Sequence, residues 1–508
     1  MPCMDAQLPP LISALLQPAL YPHQPATVTL VQTHISWVLL AGDFVYKVKK
    51  PVRMTFLDFS TLALRHQACQ DELRLNQRFA PDIYLDVVAL YNTVQAPRFD
   101  AVGEPIEYAV RMRRFDDANR LDRVCALGAL LPGHLTDLAQ SLAAFHASAA
   151  VAPARASWGS PDKVLAPARD NFADLLAALP DASWQARVQA LQAWTDAQGA
   201  QLAPLIAQRK QAGCVRECHG DLHLANLVLI DQRVRMFDCI EFNADLRWID
   251  VLSDVAFVYA DLLAHNAAGL ASWFVNEVLG RSGDYPAAGL LRFYAVYRAM
   301  VRAKVAALRY QQSGDDGALV LAQLALAERL IAPRPPCLLI THGLSGSGKT
   351  FVTDQWLQSD AGDNTLRLRA DVERKRLAGL SAQARSGSGL NSGLYAPDAH
   401  ARTYKHLRER AAQLLQAGWS VVVDATFLKH ADRASFQALA QAQGARFGII
   451  APQATPKQLR QRIVARSAQG SDASEATLAV LEQQLLSVEP LTAEELTQLK
   501  AVPRRQVR

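Results

Sequence analysis

The chain has 508 residues, half of them hydrophobic and a fifth charged, with a formal net charge of +5. That length is too great for one core and predicts about two to four domains, while the ordinary Gly and Pro content excludes fibrous and disordered classes. Lys and Arg are scattered instead of forming runs, which argues against a dedicated nucleic-acid surface and leaves room for a local anion cleft.

Seven cysteines, an odd number, read as reduced thiols. The opening "MPCMDAQLPPLISALLQPALYP" lacks the charged segment and cleavage site of a secretory signal, so a cytoplasmic location is expected. No apolar run approaches the ~20 residues of a membrane-spanning helix, so no membrane partner is expected.

In chain order, residues 27–50 predict two or three strands with a turn at Gly42 and Asp43. A helix follows from Ser60, read as its N-cap, to Phe79, and further strands are expected near 83–90 and 107–115. Residues 133–212 carry helical periodicity interrupted around Pro153–Pro161 and at Pro180, and helical patterns resume from Trp248 to about Ile331. "APRPP" at 332–336 forbids helix and inner strand, and marks a linker. Beyond it "CLLITHG", "LRLRAD", "WSVVVDATF" and "ARFGIIAP" alternate with helical segments, the rhythm of a parallel sheet.

The first of these strands runs into Gly343-Leu-Ser345-Gly346-Ser347-Gly348-Lys349-Thr350, a full G-x-x-x-x-G-K-T match flanked by strand and helix. The glycines let backbone N–H groups face phosphate oxygens, Lys349 reaches the terminal phosphates of ATP, and Thr350 ligates Mg²⁺. Asp424 ends an apolar strand, either as a ligand in the Mg²⁺ shell or as a strand-end cap. Asp371, followed by Arg374 and Arg376, is either a base for an acceptor hydroxyl or a solvated helix start. Arg462 and Arg466 share a helix face ahead of "SAQGSDASEA", as a lid over the transferring group or as a solvated basic face.

This half resembles the small P-loop kinases grouped with zeta-toxin-like and gluconate-kinase-like enzymes, over about 337–495. The resemblance implies a parallel sheet, a Walker A loop and a lid arginine such as Arg466, and leaves the acceptor open.

In the first half, "CHGDLHLAN" places Asp221 and Asn226 five apart, the interval of the kinase catalytic loop, and Asp238 follows a short apolar strand. Together they supply a proton acceptor, Asp221, and two Mg²⁺ ligands, Asn226 and Asp238. Cys214, Cys218 and Cys239 lie nearby, but Cys-x-x-x-Cys is not the spacing of a structural zinc site.

The loop resembles the H-G-D-x-H-x-x-N of the aminoglycoside phosphotransferase and choline-kinase-like branch of the kinase fold, matching His219, Gly220, Asp221, His223 and Asn226. That resemblance spans about 27–325. It implies that "FVYKVKK" carries the ATP-phosphate lysine, Lys47 with Lys49 as rival, and that Glu72 is its salt-bridge partner; His223 reads as orienting the loop through hydrogen bonds. One departure stands out: the phosphate-covering turn would be "QTHIS", which has no glycine.

The whole chain resembles bacterial fusions of an aminoglycoside phosphotransferase-like domain with a P-loop kinase domain. The expected fold class is an α+β two-lobed kinase-like domain over 1–331 (N-lobe about 25–115, helical C-lobe about 116–331), then an α/β P-loop domain over 337–508. The expected function is ATP- and Mg²⁺-dependent transfer of a γ-phosphoryl group to a small-molecule hydroxyl in each half. The alternative is a non-catalytic N-terminal ligand-binding module that controls a P-loop ATPase or a nucleotide or polynucleotide kinase. Acceptor identity and oligomeric state stay open.

Overall fold

The computed structural model describes residues 8–54, 57–179, 181–313, 317–382, 384–386, 393–469 and 474–501. The first seven residues and positions 470–473 of the expected lid connector lie outside that set. The chain divides into two compact units, one of Met1–Leu130, Ala144–Val164 and Ile206–Asp254, the other of Leu131–Ala143, Leu165–Leu205 and Val255–Arg508. The linker at 332–336 thus falls inside the second unit.

In the first unit, α1 (Pro10–Ala14) precedes β1 (Val28–Gln32), β2 (Ser36–Ala41), β3 (Phe44–Lys49), the short β4 (Arg53–Met54) and β5 (Leu57–Asp58), and α2 (Leu62–Asn76). Then come β6 (Tyr84–Thr93), β7 (Ala96–Arg98), β8 (Glu107–Arg113) and α3 (Leu121–Ala126). The described strands form a six-stranded sheet in the order β1-β2-β3-β8-β6-β7. Ala41 pairs with Phe44, so Gly42 and Asp43 make the two-residue turn the sequence predicts, with Gly42 at φ +59°.

Period-two alternation gives β3 two faces. Tyr46 and Val48 enter an apolar cluster with Ile12, Leu15, Trp37, Leu39 and Leu90, so Lys47 and Lys49 point to the opposite side, where Glu72 of α2 meets both. The helix is capped by Thr61, whose hydroxyl accepts the Leu64 N–H, and not by Ser60 as expected, because Ser60 is committed to Asp58 at 2.6 Å.

The expected helical region resolves into α4 (Pro132–Ser148), α5 (Pro161–Ala178) and α6 (Ala182–Gln211), followed by β9 (Val215–Glu217), β10 (Leu227–Ile230), β11 (Arg233–Met236) and α7 (Ala244–Arg247). Trp248 does not begin a helix. Residues Trp248–Asp250 form β12, antiparallel to β9, before α8 (Val251–Ala264) starts. Asp250 is fixed in that strand by a buried bidentate pair with Arg209, at 2.5 and 2.8 Å.

The second unit continues with α9 (Ala268–Ser282), α10 (Ala288–Ser313), α11 (Ala318–Ile331), β13 (Cys337–Thr341), α12 (Lys349–Leu357), β14 (Thr365–Arg369), α13 (Ala370–Leu377) and α14 (Pro397–Gln416). After these come β15 (Ser420–Asp424), α15 (His430–Ala442), β16 (Arg446–Ile450), α16 (Pro456–Gln469), α17 (Leu478–Ser487) and α18 (Ala493–Thr497). The last four strands form a sheet in the order β14-β15-β13-β16, parallel throughout, with Leu338, Ile340, Val421, Val422, Val423 and Ile449 fully buried. Continuous apolar strands are what a parallel sheet covered on both faces requires.

Edge strand β14 is not left open. Asn276 of α9 donates to the Thr365 carbonyl at 2.8 Å and accepts from the Arg367 N–H at 2.6 Å, so its carboxamide stands where a neighbouring strand's peptide group would. Tyr285 bonds the Arg367 carbonyl, and Trp419 bonds the carbonyl of Ala288, which seats the helices before the linker on this sheet.

Candidate functional sites

The first site is built on β3 and α2. Lys47 Nζ donates to Glu72 Oε1 at 2.8 Å and to Asp238 Oδ1 at 2.6 Å, whereas Lys49 is held between Glu72 and Glu241. Lys49 has no exposed side chain at all, while the Asp238 side chain that Lys47 reaches is 44% exposed. Of the two rival lysines, Lys47 is therefore the one that reaches a partly exposed acid. Burial would lower the Lys47 pKa, but Asp238 and Glu72 hold it well above the ordinary lysine value; burial would raise the Glu72 carboxyl, and the two lysines pull it below the usual range.

The loop after β9 is suspended from a buried acid. Asp254 of α8 accepts the His219 and Gly220 N–H groups, each at 2.9 Å, and faces His146 Nε2 at 3.3 Å. Gly220 sits at φ +87°, and a Cβ there would approach the Leu246 carbonyl oxygen to 2.6 Å, so both space and backbone demand glycine. His219 is fully buried and its Nε2 lies 2.9 Å from the Phe237 carbonyl. Asn226 donates to the Asp221 carbonyl at 2.9 Å and its carboxylate at 3.1 Å, and His223 lies 3.4 Å from the same carboxylate.

Asp238 is in the left-handed region at φ +61°, a conformation that costs a non-glycine residue roughly 1–3 kcal/mol and concentrates at functional positions. It is held there because its N–H donates to the Tyr84 hydroxyl at 3.0 Å and the Cys239 N–H donates to Asn76 at 2.9 Å. Asp221, Asn226, Asp238, Lys47 and Glu72 are thus tied together through backbone and side-chain bonds. The glycine-free turn has a particular closure: Thr33 Oγ1 accepts the N–H groups of Ile35 at 3.3 Å and Ser36 at 2.9 Å.

The cysteines are structural. Burial pushes the Cys218 and Cys239 thiols far up, and Cys218 lies with His146 and Asp254 in a buried group whose carboxylate is already occupied by loop amides. Sequence reasoning missed Asp254 and Glu241. Their signal was an acid inside an apolar run, "WIDVLSDVAF" and "RMFDCIEF", which must find a partner when buried.

The second site is a cavity of about 330 Å³ at the C-terminal ends of β13 and β15. Gly343, Gly346 and Gly348 adopt φ of +148°, +83° and +97°, the positive-φ backbone that glycine allows in such a loop. Thr350 donates its hydroxyl to Asp424 Oδ2 at 2.8 Å, Lys349 Nζ reaches back to the Leu344 carbonyl at 2.8 Å, and Ser347 Oγ is buried without a partner. Burial holds the Lys349 ammonium below its usual pKa, against Asp424 and Asp371.

Asp371 and Arg374, 2.9 Å apart, line the same cavity, as do Arg462 and Arg466. Burial acts to raise the Asp371 carboxyl, but Arg374, a Ser474 hydrogen bond, Arg369 and Lys349 hold it below the usual range. Arg462 donates to the carbonyls of Gly346 and Ser347, both at 3.2 Å, and Arg466 to that of Ala476 at 3.1 Å. Arg376 is not part of the site, since it pairs with Glu373 and the Gly280 carbonyl. Gln484 of α17 was not legible: its carboxamide oxygen accepts the Ser345 N–H at 2.8 Å, occupying one amide of the loop.

An AAA domain family, AAA_33, matches residues 338–491, the P-loop part of the chain. Among solved structures, a choline/ethanolamine kinase family protein of Mesorhizobium loti is 14% identical with a TM-score of 0.40, covering 63% of this chain and 95% of its own. Choline kinase of Cryptosporidium parvum Iowa II is 10% identical with a TM-score of 0.41, at 63% and 94% coverage. The uncharacterized protein Rv2004c of Mycobacterium tuberculosis (strain ATCC 25618 / H37Rv) is 30% identical over 451 residues, 89% of this chain and 88% of its own. At that identity and coverage of both halves, the chain belongs to the same family as the mycobacterial protein Rv2004c.

Proposed function

We propose that the chain is an ATP- and Mg²⁺-dependent phosphotransferase with two kinase-type halves, 1–331 and 337–508, each transferring a γ-phosphoryl group to a hydroxyl of a small-molecule acceptor. The observation that carries this reading is the convergence on one cavity of Lys349, the Thr350–Asp424 pair and the Asp371–Arg374 pair.

The residues present fit the nucleotide and metal. In the second half the glycine-rich loop and the partnerless Ser347 hydroxyl suit phosphate oxygens, and Thr350 with Asp424 offers the hard oxygen donors Mg²⁺ prefers. In the first half the Asn226 carboxamide donates through its nitrogen to Asp221, which leaves its oxygen, with Asp238, for a cation. Bound there, the ion would neutralise phosphate charge.

In each half one carboxylate accepts the proton of the acceptor hydroxyl, Asp221 in the first and Asp371 in the second, as the acceptor oxygen bonds to the γ-phosphorus and the bond to the β-phosphate oxygen breaks. Lys349, Arg462 and Arg466 balance the charge that spreads over the phosphoryl oxygens in the second half, and Lys47 does so in the first.

A second reading has its own support: the Thr33 hydroxyl takes the turn amides of Ile35 and Ser36 that would otherwise cover phosphates. In that reading the first half binds a ligand without catalysing and regulates the second. Sugars, amino alcohols, aminoglycosides, nucleosides and oligonucleotides incubated with labelled ATP separate the two, using wild type, Asp221→Asn and Lys349→Ala. A product lost only in Asp221→Asn supports two active halves. Total transfer unchanged in Asp221→Asn supports the regulatory reading, and no labelled acceptor in any sample removes the support for both kinase assignments.

A further inference from the structure

At the N-terminal ends of β13, β14 and β15, opposite the P-loop end of the strands, the second unit encloses another cavity of about 190 Å³. Its lining is strongly cationic. Arg329 and Arg334 share the single carboxylate of Asp363, at 3.0 and 2.8 Å. Arg292 has no acid partner among the described residues: it donates to Asn364 Oδ1 and the Gly418 carbonyl, both at 2.9 Å, and to the Ala417 carbonyl at 3.3 Å, beneath the ring of Trp419.

Carbonyl oxygens satisfy a guanidinium's hydrogen bonds without cancelling its charge. Three guanidinium groups therefore face one carboxylate, and both burial and Arg334 disfavour the charged form of Arg292. Tyr259 adds a potential donor: it is 3% exposed and lines the cavity.

We propose that this cavity binds a small tetrahedral oxyanion of the phosphate class, held by Arg292, Arg329, Arg334 and the Tyr259 hydroxyl. Guanidinium groups match such oxygens geometrically, and an anion would supply the charge that Asp363 alone does not. The volume accommodates a phosphoryl-sized group. Arg334 belongs to the linker at 332–336, so the anion would also fasten the linker to Asn364, just before β14, and to Arg292 of α10. This site is independent of the phosphotransfer reading.

Phosphate also suits the P-loop, so the test uses the full chain carrying Lys349→Ala. Thermal unfolding and calorimetric titration are run with inorganic phosphate, with glycerol phosphate, and with chloride at matched ionic strength. Phosphate at saturating concentration is expected to raise Tm by about 3 °C or more over chloride. Adding Tyr259→Phe, a conservative change, or Arg334→Gln is expected to weaken binding about tenfold, the loss of one charge-assisted hydrogen bond. Equal binding of glycerol phosphate identifies a phosphomonoester as a competent source, and binding of inorganic phosphate alone identifies the free anion; both support the site. Stabilisation no greater than with chloride, or affinity unchanged in both added variants, overturns it.

Discussion

Lys47 Nζ lies 2.6 Å from Asp238 and 2.8 Å from Glu72, so one ammonium joins an acid of α2 to an acid 191 residues after the lysine itself. Lys49, two residues on, shares Glu72 but turns to Glu241 inside the protein. Replacing each lysine by Met should separate function from stability. Lys47→Met is expected to abolish transfer by the first half with Tm changed little, because Asp238 is partly exposed. Lys49→Met leaves two buried acids sharing one cation and should cost about 3–5 kcal/mol in denaturant unfolding.

Asp221→Asn keeps the shape of the loop and removes its proton acceptor. The expected result is a kcat lower by roughly 10²–10⁴ in the first half, with nucleotide affinity and Tm preserved. Asp254→Ala acts differently, leaving the His219 and Gly220 amides without their acceptor. It should lower Tm and activity together, and the pair of variants measured side by side distinguishes base from scaffold.

The pH dependence of the second half follows from the sign of the Asp371 shift. Its folded pKa lies below the ordinary value, so the carboxylate is ionised across the neutral range and the rate should stay flat there, falling only at pH below the ordinary carboxylate range. The same depression stabilises the fold above the unfolded pKa of about 3.9, and that contribution disappears as pH falls through the lower folded value. A rate limb near pH 6–7 in a kcat profile would point to another base.

Gln484 occupies the Ser345 N–H that faces the phosphate loop. Gln484→Ala removes one competing hydrogen bond worth about 0.5–1.5 kcal/mol, so ADP should bind several-fold more tightly in a titration. Unchanged affinity would mean that this amide takes no part in nucleotide binding.

Asn276→Ala opens the edge of β14 and strands the Arg367 N–H and the Thr365 carbonyl. The expected cost is roughly 2 kcal/mol, read by denaturant unfolding, with faster hydrogen exchange at Arg367. Because β14 leads directly into the helix bearing Asp371, transfer by the second half should fall as well.

Local chemistry made much of this protein readable in one dimension. The parallel-sheet strands are apolar runs of the right length, the P-loop is fixed by glycines with positive φ at set intervals, and the HGD-x-H-x-x-N loop carries Asp221 and Asn226 together because they are five residues apart. What spacing could not decide was which of two lysines on one strand face meets the partly exposed Asp238. That depended on Asp238 and Glu241 arriving from almost two hundred residues away, and on a left-handed backbone at Asp238 that aims its carboxylate at Lys47. Likewise Arg376 looked as suitable as Arg374 beside Asp371, yet the carbonyl of Gly280 drew it away from the cavity. Asn276 capping the sheet edge, Gln484 on the phosphate loop and the arginines around Asp363 carry no local pattern at all. Their roles arise from long-range contacts, which only the tertiary structure could decide.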